Sequence, residues 1–392
     1  LKEAKQSVPY YRNLAPKTLD LRDWPVLDKE LVRTHIEDLK HPKARHLKLK
    51  STGGSTGHPL HFYVGQERIS HDVASFRRAR RWWGVDVGDK EFVIWGAPEE
   101  TKTQSTLKKF RDFLLRSQMV SARGLNREKA LLLLKDIARK KPKVLFSYPS
   151  ILAYLAESAI LAEKSIESSV KVAFVTSELL EPFQKKLIEE VFKCQVANGY
   201  GGRESGFIAH ACPYGSLHIS AEGIVVEILD ENNLPVPEGT LGEIVITHLR
   251  TLDFPFIRYK TGDRGALSNK PCACGRGLPV LTELQGRQSD LIYTHDKTLV
   301  HRAHIFQVIS QFQEIKHFKF IQHEANEYEL LLSLEDLPDA KKIELEQAFK
   351  NLLGNNCILN ITLKDILPQE ESGKHRFIIN RMKDYRARED VA

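Results

Sequence analysis

Two short runs of unbroken apolar residues, Val144-Leu145-Phe146 and Val172-Ala173-Phe174-Val175, constrain the fold more than any other feature of the chain. A strand that is apolar on both faces has to be covered on both, the situation of a parallel strand between layers of helices. Residues 127–141 read as one such covering helix, with Ala130, Leu133, Leu134 and Ile137 on one stripe and Lys135 and Arg139 opposite. The fold class is therefore α/β. Each apolar run leaves a turn-forming segment behind it, Ser147-Tyr148-Pro149-Ser150 and Thr176-Ser177-Glu178. Ligands gather beyond the carboxyl ends of parallel strands, which makes Tyr148 and Ser177, with Trp95 and the turn from Gly201 to Phe207, candidate walls of a substrate pocket.

The chain has 392 residues, more than the roughly 150 that fill one core, so two domains are expected. Over residues 223–248 the pattern changes to short alternating strands, with turns at Asn232-Asn233 and Pro237-Glu238-Gly239-Thr240, a β-rich subdomain. After Gly286-Arg287 it changes again. Residues 303–313, 318–322, 328–332, 339–353 and 358–363 read helix, strand, strand, helix, strand, a compact α+β unit. The boundary falls at residues 286–291, dividing a large domain, 1–286, from a small one, 287–392.

Lysine and arginine number 58 against 51 aspartates and glutamates, a net charge of +7 that leans mildly toward anionic partners such as nucleotides, phosphates or coenzyme A. The cations are interleaved with acids, as over residues 185–190, and there is no Arg/aromatic platform, so nucleic acid is not expected as a partner. No stretch approaches the ~18 apolar residues of a membrane span, and the first residues show no apolar leader, so a cytoplasmic location is expected. The five cysteines, Cys194, Cys212, Cys272, Cys274 and Cys357, are odd in number and unevenly spaced, the pattern of a reduced compartment. Cys212, His218, Cys272 and Cys274 all lie in turn-rich sequence and suit a closed structural Zn²⁺ site, with reduced free cysteines as the alternative. Cys194 and Cys357, in apolar surroundings, read as small core residues, and Trp82 and Trp83 as aromatics packed at a helix flank.

Ser51-Thr52-Gly53-Gly54-Ser55-Thr56-Gly57 packs three glycines and four hydroxyls into seven residues between two strand-like segments. Such a loop can turn successive backbone N–H groups inward as an anion nest, while its hydroxyls donate to phosphate oxygens. It is not a Walker A loop, because Gly57 runs into His58-Pro59 and a strand rather than a lysine and a helix. Asn198-Gly199-Tyr200-Gly201-Gly202-Arg203-Glu204-Ser205 is a second glycine-dense turn carrying an aromatic face and a carboxylate that suits Mg²⁺. Arg258-Tyr259-Lys260-Thr261-Gly262-Asp263 offers an acid in a turn, able to accept two hydrogen bonds from ribose hydroxyls. Each is a common surface turn when taken alone.

In this order, and followed by Gly286-Arg287-Gln288-Ser289-Asp290 and Ser372-Gly373-Lys374, these segments resemble the motifs of the adenylate-forming superfamily of acyl-CoA synthetases, adenylation domains and luciferases. Val8-Pro9-Tyr10-Tyr11, Tyr148-Pro149-Ser150 and Cys272-Ala273-Cys274-Gly275-Arg276 resemble its phenylacetate-CoA ligase branch, close to the capsule-biosynthesis relatives. The resemblance implies a large adenylation domain with a small mobile C-terminal domain, and a reaction in which a carboxylate attacks the α-phosphate of ATP to give acyl-AMP and pyrophosphate. Ser51, Thr52, Gly53, Gly54, Ser55, Thr56 and Gly57 would hold the β- and γ-phosphates. By the same resemblance Tyr200 and Gly201 would meet adenine, Glu204 would bind Mg²⁺, Asp263 the ribose hydroxyls, and Arg287 ribose or phosphate. Lys374 would be the catalytic lysine, an ammonium on a glycine-preceded loop that stabilises charge as it develops at the α-phosphate. Asp290 would be the hinge of the small domain. Some relatives of the branch carry zinc at the cysteine cluster, and many are dimers, so a structural zinc and a homodimer are implied as well.

Two departures from the superfamily's pattern stand out, the first weakening one phosphate contact and the second bearing on the acceptor. His58 stands where the superfamily usually has lysine, and Leu291-Ile292-Tyr293-Thr294-His295-Asp296-Lys297 lacks the Arg-Gly-x-Asn run of coenzyme A ligases in the branch. The expected product is an acyl thioester on coenzyme A or a carrier protein, with transfer to an amine or a hydroxyl, or an inactive nucleotide-binding homologue, as the alternatives. The carboxylic acid itself is not legible.

Overall fold

The computed structural model describes residues 1–14, 16–52, 60–95, 106–122, 125–163, 169–287, 292–295, 299–300, 302–315, 317–365, 367 and 376–382. Contacts divide the chain into two compact units, one built on Leu1–Gln285 and the other on Gly286–Glu370.

In the first unit, β1 (Lys48–Ser51) and β2 (His61–Val64) form an antiparallel hairpin, Lys48 opposite Val64. Five strands then pair in parallel: β3 (Glu91–Trp95), β4 (Ser117–Ser121), β5 (Val144–Ser147), β6 (Val172–Thr176) and β7 (Gln195–Gly202), in the order β4-β3-β5-β6-β7. The two apolar runs of the sequence are the middle of this sheet, buried on both sides as their composition demands. One face packs under the helices Arg127–Lys140, Pro149–Leu161 and Pro182–Phe192, with Leu145, Ala173, Val175 and Val196 in its core. The stripe expected over residues 127–141 is the buried one, Ala130, Leu133, Leu134 and Ile137. Asn126 caps this helix by accepting the Lys129 N–H, and Lys141 ends it in the left-handed region at φ 48°. The opposite face, with Val144, Val172, Phe174 and Ala197, packs with Trp83 and Val85, which follow the helix Gln66–Arg81.

The β-rich stretch joins this sheet edge to edge. A hairpin turn at residues 203–205 reverses the chain so that β8 (Gly206–Ala211) runs antiparallel to β7, and β9 (Leu217–Ile219), β13 (Val280–Arg287), β12 (Tyr259–Ser268), β11 (Gly242–His248) and β10 (Ile224–Leu229) follow in space, completing 11 strands. Of residues 258–263, expected as a turn, 259–263 lie instead at the start of β12. Glu243 pairs with Arg264 and Val245 with Lys260, so Thr261, Gly262 and Asp263 all stand opposite Ile244. That is a bulge of three residues against one, permitted by Gly262 at φ 81°.

In the second unit, β14 (Ile292–Tyr293) and β15 (Leu299–Val300) form a short ribbon. A four-stranded sheet has the order β18-β17-β16-β19, from β16 (Phe318–Gln322), β17 (Glu327–Leu332), β18 (Ile358–Leu363) and β19 (Ile378–Asn380). The helices Arg302–Ile309 and Asp339–Leu353 share a core with it through Ile305, Phe318, Phe320, Leu330, Leu345 and Phe349. Phe320 and Phe349 stack at 5.0 Å. The helix of 339–353 and the strands of 318–322 and 358–363 have the bounds their periodicity predicts. The strand β19, three residues long, is too short for periodicity to mark and is set by its pairing with β16.

Candidate active site

The hairpin between β7 and β8 gathers the residues expected to handle a nucleotide. Tyr200 is buried near the end of β7, and its hydroxyl donates to Asp263 Oδ2 at 2.8 Å, with Thr261 Oγ1 at 3.4 Å. Burial, and then the neighbouring Asp263 carboxylate, push the Tyr200 phenol well above its ordinary value, so it keeps its proton and donates. The Thr261 hydroxyl donates to the Ile244 carbonyl at 2.9 Å and accepts the Asp263 N–H at 3.1 Å, fixing the bulge that carries the acid. Gly201 has no room for a side chain, because a Cβ there would lie 2.2 Å from the Gly206 carbonyl oxygen.

Glu204, in the turn itself, is 6% exposed. The residue before it, Arg203, donates from Nη1 to the Ser51 carbonyl at 2.9 Å, joining the turn to the neck of the candidate phosphate loop. That neck is closed by the Thr52 N–H on the Leu60 carbonyl and by the Leu60 N–H on Thr52 Oγ1, both at 3.0 Å. Ser51 and Thr52 are thus brought to the Glu204 turn. Gly53, Gly54, Ser55, Thr56 and Gly57 lie outside the described residues, as do Asp290 and Lys374. Arg287 closes β13.

At the carboxyl ends of the parallel strands, Trp95 packs 4.3 Å from Tyr148 and stacks on Phe146 at 5.4 Å. Tyr148 is 2% exposed, so its ring backs the strand end rather than facing outward. Glu178 accepts the Ser150 N–H at 3.1 Å and the Ser150 hydroxyl at 3.0 Å, tying together the two segments that the sequence marks as pocket walls. Between them Ser177 adopts φ 71°, a left-handed conformation that a non-glycine residue holds at some cost. Phe207 and His210 on β8 stack at 5.1 Å and meet Phe76 of the helix Gln66–Arg81. Burial, followed by the charges of Arg78 and Arg80, lowers His210 to about 3, so its ring is neutral.

Cys212, His218, Cys272 and Cys274 converge, their ligand atoms all within 4.8 Å of one another. Zinc–sulfur bonds of about 2.3 Å in a tetrahedron imply sulfur–sulfur edges of about 3.8 Å, and Cys212 Sγ lies 3.8 Å from Cys272 Sγ. His218 Nδ1 lies 3.3 Å from the Leu278 carbonyl, which holds the proton there and leaves Nε2, 3.1 Å from Cys274 Sγ, with a free lone pair. Burial raises the Cys274 thiol, but hydrogen bonds from the Arg276 backbone and side chain outweigh it and bring it down to about 6. The donor set can hold a metal ion. Trp82, expected to pack at a helix flank, covers it: the indole meets the His218 ring at 5.8 Å and carries the Arg276 guanidinium at 4.6 Å.

The AMP-binding enzyme family matches residues 33–250, more than half of the chain and all of the hairpin region just described. The chain belongs to this family. A CapK C-terminal domain matches residues 292–381, within the second unit. The chain is 24% identical over 390 residues to Protein CapK of Staphylococcus aureus, covering 95% of this chain and 83% of that protein. It is 29% identical over 181 residues to the phenylacetate-coenzyme A ligase of Thermus thermophilus, covering 44% of this chain and 40% of that protein. Among solved structures it resembles a 2-hydroxyisobutyryl-CoA ligase in the postadenylation state in complex with R3-HIB-AMP, with a TM-score of 0.76, 20% identity, and 97% and 86% of the two chains covered. The amide bond synthetase McbA from Marinactinospora thermotolerans gives a TM-score of 0.58 at 17% identity, over 85% and 67% of the chains. At these identities the likeness establishes the adenylate-forming fold.

Sequence reasoning missed Arg68, Asp72 and His248, which surround the Glu204 turn. An arginine and an aspartate four apart on a helix read as a solvated pair, and nothing in the spacing shows that they face residues 203 and 248.

Proposed function

We propose that this AMP-binding family member is an ATP- and Mg²⁺-dependent ligase that activates a carboxylic acid as an acyl-adenylate, releases pyrophosphate, and passes the acyl group to a thiol of coenzyme A or a carrier protein. The observation that carries the reading is the hydrogen bond from the Tyr200 hydroxyl to Asp263, on the hairpin whose Arg203 is bonded to Ser51. It places an aromatic face, an acid suited to ribose hydroxyls, the Glu204 carboxylate and the neck of a glycine-rich loop around one turn. When bound, Mg²⁺ would neutralise phosphate charge beside Glu204. Ser51 and Thr52 lead into the loop that would cradle the phosphates, Arg287 would support ribose or phosphate, and Lys374 would stabilise charge at the α-phosphate. The Cys212, His218, Cys272 and Cys274 set would hold a structural zinc, consistent with its 3.8 Å sulfur spacing. Reduced thiols and an ATP supply together favour a cytoplasmic setting.

A second acceptor class, an amine or hydroxyl, is favoured by residues 291–297, which lack the Arg-Gly-x-Asn run of coenzyme A ligases, and by the shared fold of an amide bond synthetase. The test is pyrophosphate release with Mg-ATP across aryl, aliphatic, hydroxy and amino acids, in wild type and Lys374→Ala. Release that requires one acid class and falls by roughly 100-fold or more in the variant is expected. ATP binding with no release for any acid would replace this reading with a nucleotide-binding homologue.

A further inference from the structure

We propose that Arg68, braced by Asp72 and His248, is a positioning residue that holds the Glu204 carboxylate ready for a divalent cation. The proposal rests on the reading of Glu204 as a Mg²⁺ ligand, and goes beyond it by naming what aims that ligand.

Arg68 is the third residue of the helix Gln66–Arg81 and only 1% exposed. A guanidinium so buried has to be compensated, and a buried ion pair by itself is weak evidence for stability. Its contacts point to another role. Nη2 donates to the Arg203 carbonyl at 3.2 Å, fixing the peptide that leads into Glu204. Nε faces Asp72 Oδ2 at 3.4 Å, one helical turn along. Nη1 makes no hydrogen bond, and the Glu204 carboxylate lies within electrostatic range of the same guanidinium.

Asp72 lies against the other shoulder of the hairpin, at Gly206, and its Oδ1 lies 3.5 Å from His248 Nε2. The helix therefore meets the turn at Arg203, on the way out of β7, and at Gly206, on the way into β8. Gly206 sits between the three side chains at φ 74°, where a Cβ would come 2.7 Å from Asp72 Oδ1, 3.1 Å from Arg68 Nη2 and 3.2 Å from His248 Nε2. The three side chains thus close around the hairpin at Gly206. A carboxylate that binds a hard cation has to be aimed, and groups that fix such ligands typically govern metal affinity by about 10- to 100-fold. The bond from Arg68 to the Arg203 carbonyl fixes the peptide that carries Glu204, a residue only 6% exposed.

The test compares ATP affinity with Mn²⁺ and with EDTA, the ratio of the two reporting what the metal adds. In Arg68→Ala the ratio should shrink by roughly 10-fold or more, toward that of Glu204→Gln, while affinity for metal-free ATP stays at the wild-type value. Arg68→Lys, which keeps the charge but not the planar fork, should recover part of it. Loss of a merely structural contact would lower both affinities together or neither. A folded Arg68→Ala protein with the wild-type ratio overturns the proposal while leaving Glu204 in place, provided Glu204→Gln lowers the ratio. An unchanged ratio in Glu204→Gln overturns the assignment of Glu204, and the role of Arg68 with it. Should Arg68→Ala fail to fold, the near-isosteric Asp72→Asn takes its place, with a reduced ratio expected and an unchanged one overturning.

Discussion

The Tyr200 hydroxyl has one proton and two oxygen neighbours, and gives it to Asp263 at 2.8 Å rather than to Thr261 at 3.4 Å, because a carboxylate oxygen is the stronger acceptor and the nearer one. One lone pair of Asp263 is thereby committed, and the orientation of the carboxylate is set before any nucleotide arrives. Tyr200→Phe should fold normally and weaken ATP binding by about three- to tenfold, the equivalent of one hydrogen bond of 0.5–1.5 kcal/mol. Titration calorimetry with ATP would show this, and an unchanged affinity would mean that the bulge alone orients Asp263. The sequence offered Tyr200, Glu204 and Asp263 as candidates through the order of their motifs, which resembles that of the adenylate-forming superfamily, since each glycine-dense segment alone is a common surface turn. It hid Arg68 for the opposite reason. Its partners are a carbonyl at residue 203 and acids whose proximity depends on how a helix docks on a hairpin.

At the scale of elements, the cluster of Cys212, His218, Cys272 and Cys274 joins three separate pieces: the turn after β8 with Cys212, the strand β9 with His218, and the loop before β13 with Cys272 and Cys274. Trp82, just after the helix Gln66–Arg81, packs on the same set. Protein purified without chelator should carry about one zinc per chain by elemental analysis, and removing it, or Cys274→Ser, should lower the unfolding temperature by about 5 °C or more. Zinc near zero in protein that melts identically with and without chelator would leave three reduced cysteines and an unliganded histidine. The turn-rich setting of these residues was readable in the sequence. Their mutual distance was not, because the histidine at 218 and the first cysteine of the pair at 272 stand 54 positions apart, and the antiparallel pairing of β9 with β13 brings them together.

For the molecule as a whole, acid stability depends on imidazoles that folding keeps neutral. Burial first, and then Arg78 and Arg80, hold His210 at about 3 instead of 6.5. The unfolded chain takes up a proton as pH falls through 6.5 and the folded chain does not until about 3, so stability is full above that window and declines within it. The decline should be roughly 1 kcal/mol per pH unit from His210, with His248, also lowered by burial, adding in the same direction. Urea midpoints measured between pH 7 and pH 5 should show the slope, and His210→Phe should flatten it. An identical slope in the variant would assign the acid lability elsewhere. Among the described residues no helix is long and apolar enough to cross a membrane, in line with an apolar content spent on three sizeable cores: two in the first unit and one in the second.

Sequence alone determined whatever is encoded over a few neighbouring residues. The helix stripe of Ala130, Leu133, Leu134 and Ile137, the buried strands β5 and β6, the elements 318–322, 339–353 and 358–363 and the ordered glycine-rich motifs all follow from local periodicity and turn chemistry. Tertiary structure decided what depends on pairing at a distance. It fused the β-rich stretch into an 11-stranded sheet, turned residues 261–263 from a turn into a bulge opposite Ile244, and buried Arg68 against the Glu204 hairpin. The physical reason is common to all three. Backbone hydrogen bonds between strands, and the burial of a charge, are settled by which surfaces meet, and that information is held by no segment of the chain taken alone.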